Sequence, residues 1–308
     1  MRIVVTGCSG QIATALQQRG AQSEHQIIAV GRPRLDLAWP KTVAGVLTAA
    51  RPDIIVSAAA YTAVDKAETD RDSAFAINAD GAAAIAATAA RLGVPLIHLS
   101  TDYVFDGSKS GPYLESDLPA PINVYGESKL AGEQRVVALT ANHVILRLSW
   151  VYSPFGNNFV RTMLRLAEDR ETVRVVADQI GRPSSAFDIA DAVISIAERL
   201  GAEPERAPRG LFHLSGAGET SWAGFAEAIF TGLRARGGRG VTVVPIPATD
   251  YPLPAARPAN SVLCGDKLFA AYGLTLPSWR GSLSVCLERL IPSRDGAATK
   301  IPSEERPL

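Results

Sequence analysis

Tyr125 and Lys129 are the two residues whose types and spacing most directly predict chemistry. They begin and end the segment YGESK, and on a helix a four-residue spacing places both side chains on one face. An ammonium beneath the tyrosine hydroxyl favours the ionised phenol, and bringing a pKa of about 10 close to neutrality requires about 4 kcal/mol. The pair predicts a tyrosine that acts as an acid, although ordinary surface residues can have the same spacing.

A second candidate group is a hydroxyl at the end of a predicted strand. The apolar run from Val94 to Leu99 is followed by Ser100, Thr101 and Asp102. A hydroxyl placed there can donate a hydrogen bond to a substrate carbonyl and polarise it, and we assign this role to Thr101. Serine and threonine also cap loops at strand ends, which is the structural alternative.

The first predicted strand ends in a glycine-rich turn. The run Arg2–Thr6 precedes Gly7 and Gly10, and a helix-like stretch then begins with Gln11 and Ile12. Glycines at these positions permit a tight turn and let the backbone approach a pyrophosphate at the positive end of the helix. The pattern predicts a dinucleotide site, with an ordinary strand-to-helix turn as the alternative.

The end of the second predicted strand bears on which dinucleotide is bound. An acidic residue there would bind the ribose 2′-hydroxyl, whereas this chain has Arg32, whose guanidinium can pair with a 2′-phosphate. We therefore predict NADPH as the cofactor and leave NADH open, because an exposed loop arginine gives the same pattern. Asp36 and Leu37 follow in a loop that could wrap the adenine.

Strands and helices alternate through the first half of the sequence. Strand-like runs near residues 27–30, 53–58, 94–99 and 143–148 are separated by helical stretches, and helical crossovers require a parallel sheet with helices on both faces. The predicted fold class is α/β, a doubly wound parallel sheet of Rossmann type with a second, smaller substrate-binding domain.

The alternation loosens in the second half, and this sets the predicted domain bounds. Residues 1–150 are predicted to form the dinucleotide-binding domain, joined by parts of about 172–216. Residues of about 151–171 and 217–291 are predicted to form the interleaved substrate-binding domain. Residues 292–308 are polar and without periodicity, which predicts a disordered tail.

Composition and charge favour a small-molecule partner. Lysine plus arginine and aspartate plus glutamate each total 31, so no field of one sign attracts nucleic acid or an acidic membrane. Cys8, Cys264 and Cys286 are widely spaced, which suggests neither a disulfide framework nor a zinc site and fits a reducing compartment. The chain shows neither a leader nor an apolar run of membrane-spanning length. We predict a cytoplasmic protein with no nucleic-acid or membrane partner.

Several longer motifs occur in one order along the chain. They are AAYTAVDKAE at 59–68, STDYVFDG at 100–107, YGESKLAGE at 125–133, SWVY at 149–152, GNNF at 156–159 and RPANS at 257–261. Together they resemble the extended short-chain dehydrogenase/reductases, and within them the dTDP-4-dehydrorhamnose reductase family. The resemblance runs from residue 1 to about 290, and several independent motifs in one order are more specific than any single motif.

The resemblance implies roles for individual residues. It implies a catalytic trio of Thr101, Tyr125 and Lys129, and contacts between a dTDP-sugar substrate and Thr101, Asp102 and Trp150. The residues predicted to bind the cofactor, from the sequence pattern and the resemblance together, are Gly7, Gly10, Gln11, Ile12, Arg32, Asp36, Leu37, Ala60, Tyr61, Thr62, Leu99, Tyr125 and Lys129. We expect a monomer or homodimer without metal, since Ala15 stands where some relatives have a carboxylate ligand.

The activity implied is reduction of the 4-keto group of dTDP-4-dehydrorhamnose to dTDP-L-rhamnose by hydride transfer from NAD(P)H. Tyr125 would pass its proton to the growing alkoxide, Thr101 would hydrogen-bond the same oxygen, and Lys129 would steady the phenolate. Two alternatives stay open. One is a reductase or epimerase of another nucleotide sugar, and the other is a non-catalytic regulatory subunit that binds the dinucleotide.

Overall fold

The structure is a computed structural model that describes residues 1–291. The strands are β1 (Arg2–Thr6), β2 (Gln26–Val30), β3 (Ile54–Ser57), β4 (Leu96–Thr101), β5 (His143–Leu148), β6 (Val151–Tyr152), β7 (Thr172–Val176), β8 (Ile180–Gly181), β9 (Ser184–Ser185), β10 (Gly210–Leu214), β11 (Thr220–Ser221) and β12 (Thr242–Ile246). The helices are α1 (Gln11–Gly20), α2 (Val43–Ala50), α3 (Val64–Ala67), α4 (Arg71–Phe75), α5 (Ala82–Leu92), α6 (Val124–Leu139), α7 (Phe159–Asp169), α8 (Ala186–Ala202), α9 (Trp222–Ala235), α10 (Asp266–Tyr272) and α11 (Trp279–Leu290). Short 3-10 turns occupy Pro40–Thr42, Asp102–Val104 and Ala248–Asp250, and a π-helical segment occupies Ala76–Gly81. The predicted tail, residues 292–308, lies outside the described residues.

A six-stranded sheet in the order β10-β5-β4-β3-β1-β2 organises the fold, and every pair in it is parallel. β3, β4 and β5 are buried along their whole length, because strands of a parallel sheet are covered by helices on both faces. The prediction of a doubly wound parallel sheet is confirmed. Its strands end at one edge, where open α/β sheets bind their ligands.

An apolar layer covers each face of this sheet. On one face, α1 and α8 pack over the strands with buried side chains such as Leu16 and Val193. On the other face, α2, α5 and α6 contribute Leu47, Ile85 and Val136. Burial of this kind contributes about 25 cal/mol per Å² of apolar surface and is the main stabilising term.

A separate apolar cluster lies in the later part of the chain. Helices α7, α9 and α11 pack with β7 around Met163, Phe225 and Leu283, and β7 pairs in parallel with β12. α8 and β10 instead join the central sheet and its core. The second cluster supports the proposal of a smaller domain, whose bounds remain a prediction.

A π-helical segment separates α4 from α5. Residues 71–92 follow one helical path, but residues 76–81 form a wider turn in it. Such segments are often found at functional sites because they redirect side chains. Here the segment carries Asn78, a buried residue whose contacts are described below.

Candidate active site

A cleft of about 950 Å³ opens at the carboxyl ends of β1, β3 and β4. The structure places at this cleft all of the residues predicted to bind a cofactor, together with Thr101. These lining residues are Gly7, Gly10, Gln11, Ile12, Arg32, Asp36, Leu37, Ala60, Tyr61, Thr62, Leu99, Thr101, Tyr125 and Lys129. Asp102 and Trp150 are not among the lining residues. The roles of all these residues remain predictions.

The glycine turn after β1 is shaped for close approach of a ligand. Gly7 has φ +96°, a conformation that side-chain-bearing residues rarely adopt. Gly10 precedes α1 without a side-chain cap, and a Cβ built on it would meet nothing within 4 Å. The open space and the N-terminus of α1 suit the pyrophosphate of a dinucleotide. Ala13, where the glycine pattern has its third small residue, is buried against the core.

Gln11 links the glycine turn to the segment that follows β5. Its Nε2 donates to the Val151 carbonyl at 3.4 Å, and the Ser153 Oγ donates to its Oε1 at 2.7 Å. These partners lie about 140 residues further along the chain, so no local pattern predicts them. The contacts fix the side chain of a residue expected to line the pyrophosphate.

The loop after β2 forms the other end of the cleft. Arg32 is exposed there, and Asp36 accepts a hydrogen bond from the Ala38 amide at 3.0 Å. The Leu37 side chain is buried in the core, so only part of this residue can face a ligand. Gly31 is required by close packing, since a Cβ on it would lie 2.9 Å from the Cys8 sulfur.

Asn78 holds the wall formed by Ala60, Tyr61 and Thr62. Its Oδ1 accepts from the Tyr61 amide at 2.8 Å, and its Nδ2 donates to the Tyr61 carbonyl at 3.0 Å. The same Nδ2 donates to Ser128 Oγ at 2.9 Å, and Ser128 lies on α6 next to Lys129. Asn78 therefore joins the cofactor wall to the helix that carries the candidate catalytic residues. No sequence motif indicated this role of Asn78.

Thr101 and Tyr125 meet at the edge of the sheet. Thr101 ends β4, and its Oγ1 accepts from the Tyr103 amide at 3.2 Å. Tyr125 lies in the first turn of α6, which is capped by Asn123 through a 2.8 Å bond from the Gly126 amide. Hydrogen bonding by Thr101 lowers the pKa of the Tyr125 phenol, and both side chains line the cleft. The two residues therefore lie at one site, as the proposed chemistry requires.

Burial has the largest effect on the pKa of Tyr125. Burial raises this pKa to about 12, hydrogen bonding by Thr101 lowers it, and the Asp102 carboxylate raises it further. In the protein chain alone the cost of burying the phenolate exceeds the effect of Thr101, and the lowering expected from Lys129 together with a cationic nicotinamide remains a prediction. Tyr125 therefore keeps its proton at neutral pH, which suits a proton donor.

Lys129 is buried beneath the end of β4. Its side chain donates to the Leu99 carbonyl oxygen at 2.6 Å, and 3% of the residue is exposed. Burial lowers the pKa of Lys129 to about 8, and the Glu133 carboxylate acts in the opposite direction. The ammonium is thus held at the cleft, next to the backbone of the strand that presents Thr101.

Asp102 is a buried carboxylate behind Thr101. It accepts hydrogen bonds at 3.0 Å from Thr101 Oγ1 and from Ser149 Oγ. Burial raises the pKa of Asp102 to about 6, against the effect of these hydroxyls. The hydroxyl proton of Thr101 is thus directed at Asp102 in this structure, and the predicted contact of Asp102 with the sugar remains a prediction.

Replacing Asp102 by asparagine is expected to stabilise the fold at neutral pH. A pKa of about 6 instead of 3.8 corresponds to a cost of about 3 kcal/mol for keeping the carboxylate charged. The folded state binds this proton more tightly than the unfolded state, so stability from this group falls as the pH rises from about 4 to about 6. In thermal unfolding, Asp102→Asn should have a higher melting temperature than the parent at about pH 7.5, and the difference should shrink at about pH 4.5. Equal melting temperatures for both proteins at both pH values would contradict this.

Trp150 follows β5 in an unusual conformation. Its φ is +45°, which is strained for a bulky residue. One neighbour is Trp222, whose ring stacks on it with centroids 3.5 Å apart and planes 6° apart. Gly181 packs against the same indole so closely that a Cβ there would overlap it. Trp150 is thus held in an aromatic stack, and its predicted contact with the sugar remains a prediction.

Gly126 lets α6 pack against the turn that follows Thr101. A Cβ on Gly126 would overlap the Tyr103 carbonyl oxygen. We expect Gly126→Ala to displace the first turn of α6, to cost about 1–3 kcal/mol of stability and to lower turnover. Urea unfolding and steady-state kinetics measure both effects. Gly111→Ala is the matched control, since a Cβ there would meet nothing within 4 Å. Equal behaviour of the two variants would contradict the prediction.

An ion pair that no sequence motif indicated ties a late loop to the cleft wall. Arg257 donates to the two carboxylate oxygens of Asp65 at 2.6 and 2.7 Å. The hydrogen bond from Arg257 lowers the pKa of Asp65. Asp65 follows Val64, which lines the cleft. The pair therefore joins the RPANS segment to the first half of the chain.

The fold and the site together define a class of protein. A parallel sheet with a glycine turn after β1, and a tyrosine and lysine one helical turn apart beside a strand-end threonine, are typical of extended short-chain dehydrogenase/reductases. The family model described as the RmlD substrate binding domain matches residues 1–291. The chain belongs to this family, and the resemblance noted in the sequence is confirmed.

Known relatives match over nearly the whole chain. A dTDP-4-dehydrorhamnose reductase of Sinorhizobium fredii is 54% identical over 92% of this chain and 95% of its own. A crystal structure of dTDP-4-dehydrorhamnose reductase from Bacillus anthracis in complex with NADP has a TM-score of 0.85 and 39% identity, covering 93% of this chain and 98% of its own. A crystal structure of a dTDP-4-dehydrorhamnose reductase from Clostridium acetobutylicum has a TM-score of 0.87 and 35% identity, covering 94% of this chain and 99% of its own.

Proposed function

We propose that this protein reduces the 4-keto group of dTDP-4-dehydro-6-deoxy-L-mannose (dTDP-4-dehydrorhamnose) to give dTDP-L-rhamnose, with NADPH as the reductant. One observation carries the proposal. Thr101, Tyr125 and Lys129 lie in the same cleft as the glycine turn, in a chain 54% identical to a dTDP-4-dehydrorhamnose reductase. The protein is an oxidoreductase, and this reaction would be the last step of dTDP-rhamnose biosynthesis.

The side chains of the cleft divide the chemistry between them. When bound, the reduced nicotinamide supplies hydride to the carbonyl carbon. We assign to Tyr125 the donation of its phenolic proton to the oxygen that becomes an alkoxide. Thr101, whose hydroxyl donates to Asp102 in this structure, would turn that proton to the same oxygen and polarise the carbonyl. The Lys129 ammonium stabilises the phenolate that proton transfer leaves behind.

The residues of the cleft fit a dinucleotide. Gly7 and Gly10 leave room for the pyrophosphate, and Tyr61 is fixed by Asn78 at the wall of the cleft. A structurally similar reductase was solved with NADP, and Arg32 lies exposed at the mouth of the cleft. We therefore assign the 2′-phosphate to Arg32, and NADH remains a second reductant to be compared.

A substrate panel tests the proposed function. The protein is mixed with NADPH and dTDP-4-dehydrorhamnose, and the absorbance of the reduced nicotinamide is followed. We expect consumption of NADPH with this substrate to exceed that with uridine- or guanosine-linked keto sugars, and NADPH to be used better than NADH. Preference for another base or sugar would favour a sister reductase or epimerase. NADPH binding without turnover of any keto sugar would favour a regulatory subunit.

Location and assembly remain predictions. Within residues 1–291, no helix combines the length and apolar character needed to cross a membrane. The three cysteines of the described residues are free thiols, which supports a reducing compartment such as the cytoplasm. We propose that the protein is cytoplasmic and is a monomer or a homodimer. Sedimentation of the purified protein distinguishes the monomer from the homodimer.

A further inference from the structure

A buried ion pair lies behind the candidate catalytic residues. Arg147 Nε and Nη2 donate to the two oxygens of Glu133 at 2.9 and 2.7 Å. The two side chains are 2% and 6% exposed, and Ser100 Oγ also donates to the Glu133 carboxylate. Two parallel hydrogen bonds between a guanidinium and a carboxylate fix both groups in orientation as well as in distance.

This network connects every element that carries a candidate catalytic residue. Glu133 lies on α6, one turn beyond Lys129 and two turns beyond Tyr125, so the three share one helix face. Ser100 precedes Thr101 on β4 and is in register with Arg147 on β5. A shift of the ion pair would therefore move α6 relative to the strand end that presents Thr101.

The ion pair also shapes the electrostatics around Lys129. The Glu133 carboxylate raises the pKa of Lys129 against the lowering caused by burial. Charged or titratable groups on the elements packed against α6 are His98 on β4, His143 and Arg147 on β5, Asp102 and Tyr103 in the following turn, Asp65 and Lys66 on α3, Arg71 and Asp72 on α4, Asp80 in the π-helical segment and Arg91 on α5. Burial and the nearby Lys129 hold the pKa of His98 well below its ordinary value, so His98 is neutral and adds no positive charge.

We propose that Glu133, held by Arg147 and Ser100, is a positioning residue that fixes α6 over the strand ends and keeps the buried Lys129 ammonium charged at the cleft. The proposal rests on the assignment of Lys129 to the reaction. The alternative is an ion pair that holds α6 and β5 together without affecting Lys129. Its stabilising effect would be small, because buried pairs often add little stability over apolar residues of the same shape.

Two variants and one control separate these roles. Glu133→Gln keeps the shape but removes the anion, and leaves Arg147 as an unpaired cation near Lys129. Glu133→Gln combined with Arg147→Met removes both charges and avoids the unpaired cation, so this protein is expected to fold even if the single variant does not. Glu127→Gln is the control, since Glu127 lies on the same helix but forms a surface pair with Arg71.

The readouts are turnover and NADPH affinity from about pH 6 to about pH 10, with near-ultraviolet circular dichroism to confirm folding. We expect the alkaline loss of both to begin about one pH unit lower in the Glu133 variants, which is about a fivefold loss at pH 8 and approaches tenfold at higher pH. The Glu127→Gln profile should match that of the parent. Unchanged pH profiles in folded Glu133 variants would leave only a structural role and overturn the proposal. NADPH affinity gives this answer even if the keto sugar proves not to be the substrate.

Discussion

Tyr125→Phe is expected to lower turnover of the keto sugar by about a thousandfold, the range found when a general acid is removed. The substitution deletes only the phenolic oxygen and leaves the ring, which contacts Tyr103 edge-on with centroids 5.9 Å apart. Because burial raises the pKa of Tyr125 to about 12, the phenol carries its proton throughout the neutral range. Its loss therefore removes the proton source and should not change the shape of the site.

In the Tyr125→Phe protein, NADPH binding should be nearly unchanged while turnover is lost. We expect the affinity for NADPH to change by less than about threefold, since an interaction made only in the transition state affects kcat rather than binding. Titration of nicotinamide fluorescence measures the affinity, and single-turnover kinetics measure the chemical step. Tyr251→Phe, at an exposed tyrosine, is the matched control and should behave like the parent. Turnover within tenfold of the parent would refute Tyr125 as the proton donor.

Lys129→Met is expected to lower kcat/KM by about a hundredfold or more and to weaken NADPH binding as well, because the same ammonium is assigned to the chemical step and to cofactor binding. Methionine fills a similar apolar space without the charge. Burial lowers the pKa of Lys129 to about 8, so the lysine is still mainly charged at neutral pH but burying that charge costs stability, and its removal should not prevent folding. The loss of activity would then reflect the missing ammonium.

The measurement for this variant is kcat/KM together with the dissociation constant of NADPH. Lys66→Met, at a side chain that is 69% exposed, removes one positive charge from the surface and controls for net charge. We expect that control to stay within about twofold of the parent, since exposed charges contribute little. Activity of Lys129→Met comparable to this control would show that the buried ammonium is dispensable.

The part of the fold that depends on local pattern could be predicted from the sequence. The turn at Gly7 and Gly10 shows in the sequence because a left-handed φ and an uncapped helix start leave a glycine signature. Tyr125 and Lys129 could be paired because helical geometry alone brings residues four apart together. The parallel sheet followed from alternating strands and helices, since helical crossovers leave little choice of direction.

Contacts between distant residues could not be predicted in this way. Arg257 reaches Asp65 across 192 positions, and Arg147 meets Glu133 only because β5 packs beneath α6. The effect of burial on the pKa of Tyr125 could not be predicted for the same reason, since burial is a property of the whole fold. One signal was present but unused: Glu133 continues the four-residue spacing of Tyr125 and Lys129, which marks it as a member of the same helix face.

Transfer of deuterium from labelled cofactor tests the central claim most directly. NADPH carrying deuterium on the reactive face of its nicotinamide is consumed with dTDP-4-dehydrorhamnose, and the product sugar is examined by NMR and mass spectrometry. If Thr101, Tyr125 and Lys129 hold the ketone for reduction, one deuterium appears at carbon 4 of the rhamnose, and the Tyr125→Phe protein yields almost none. Deuterium at another carbon, or an unlabelled sugar isomer formed without consumption of NADPH, would contradict reduction at this site.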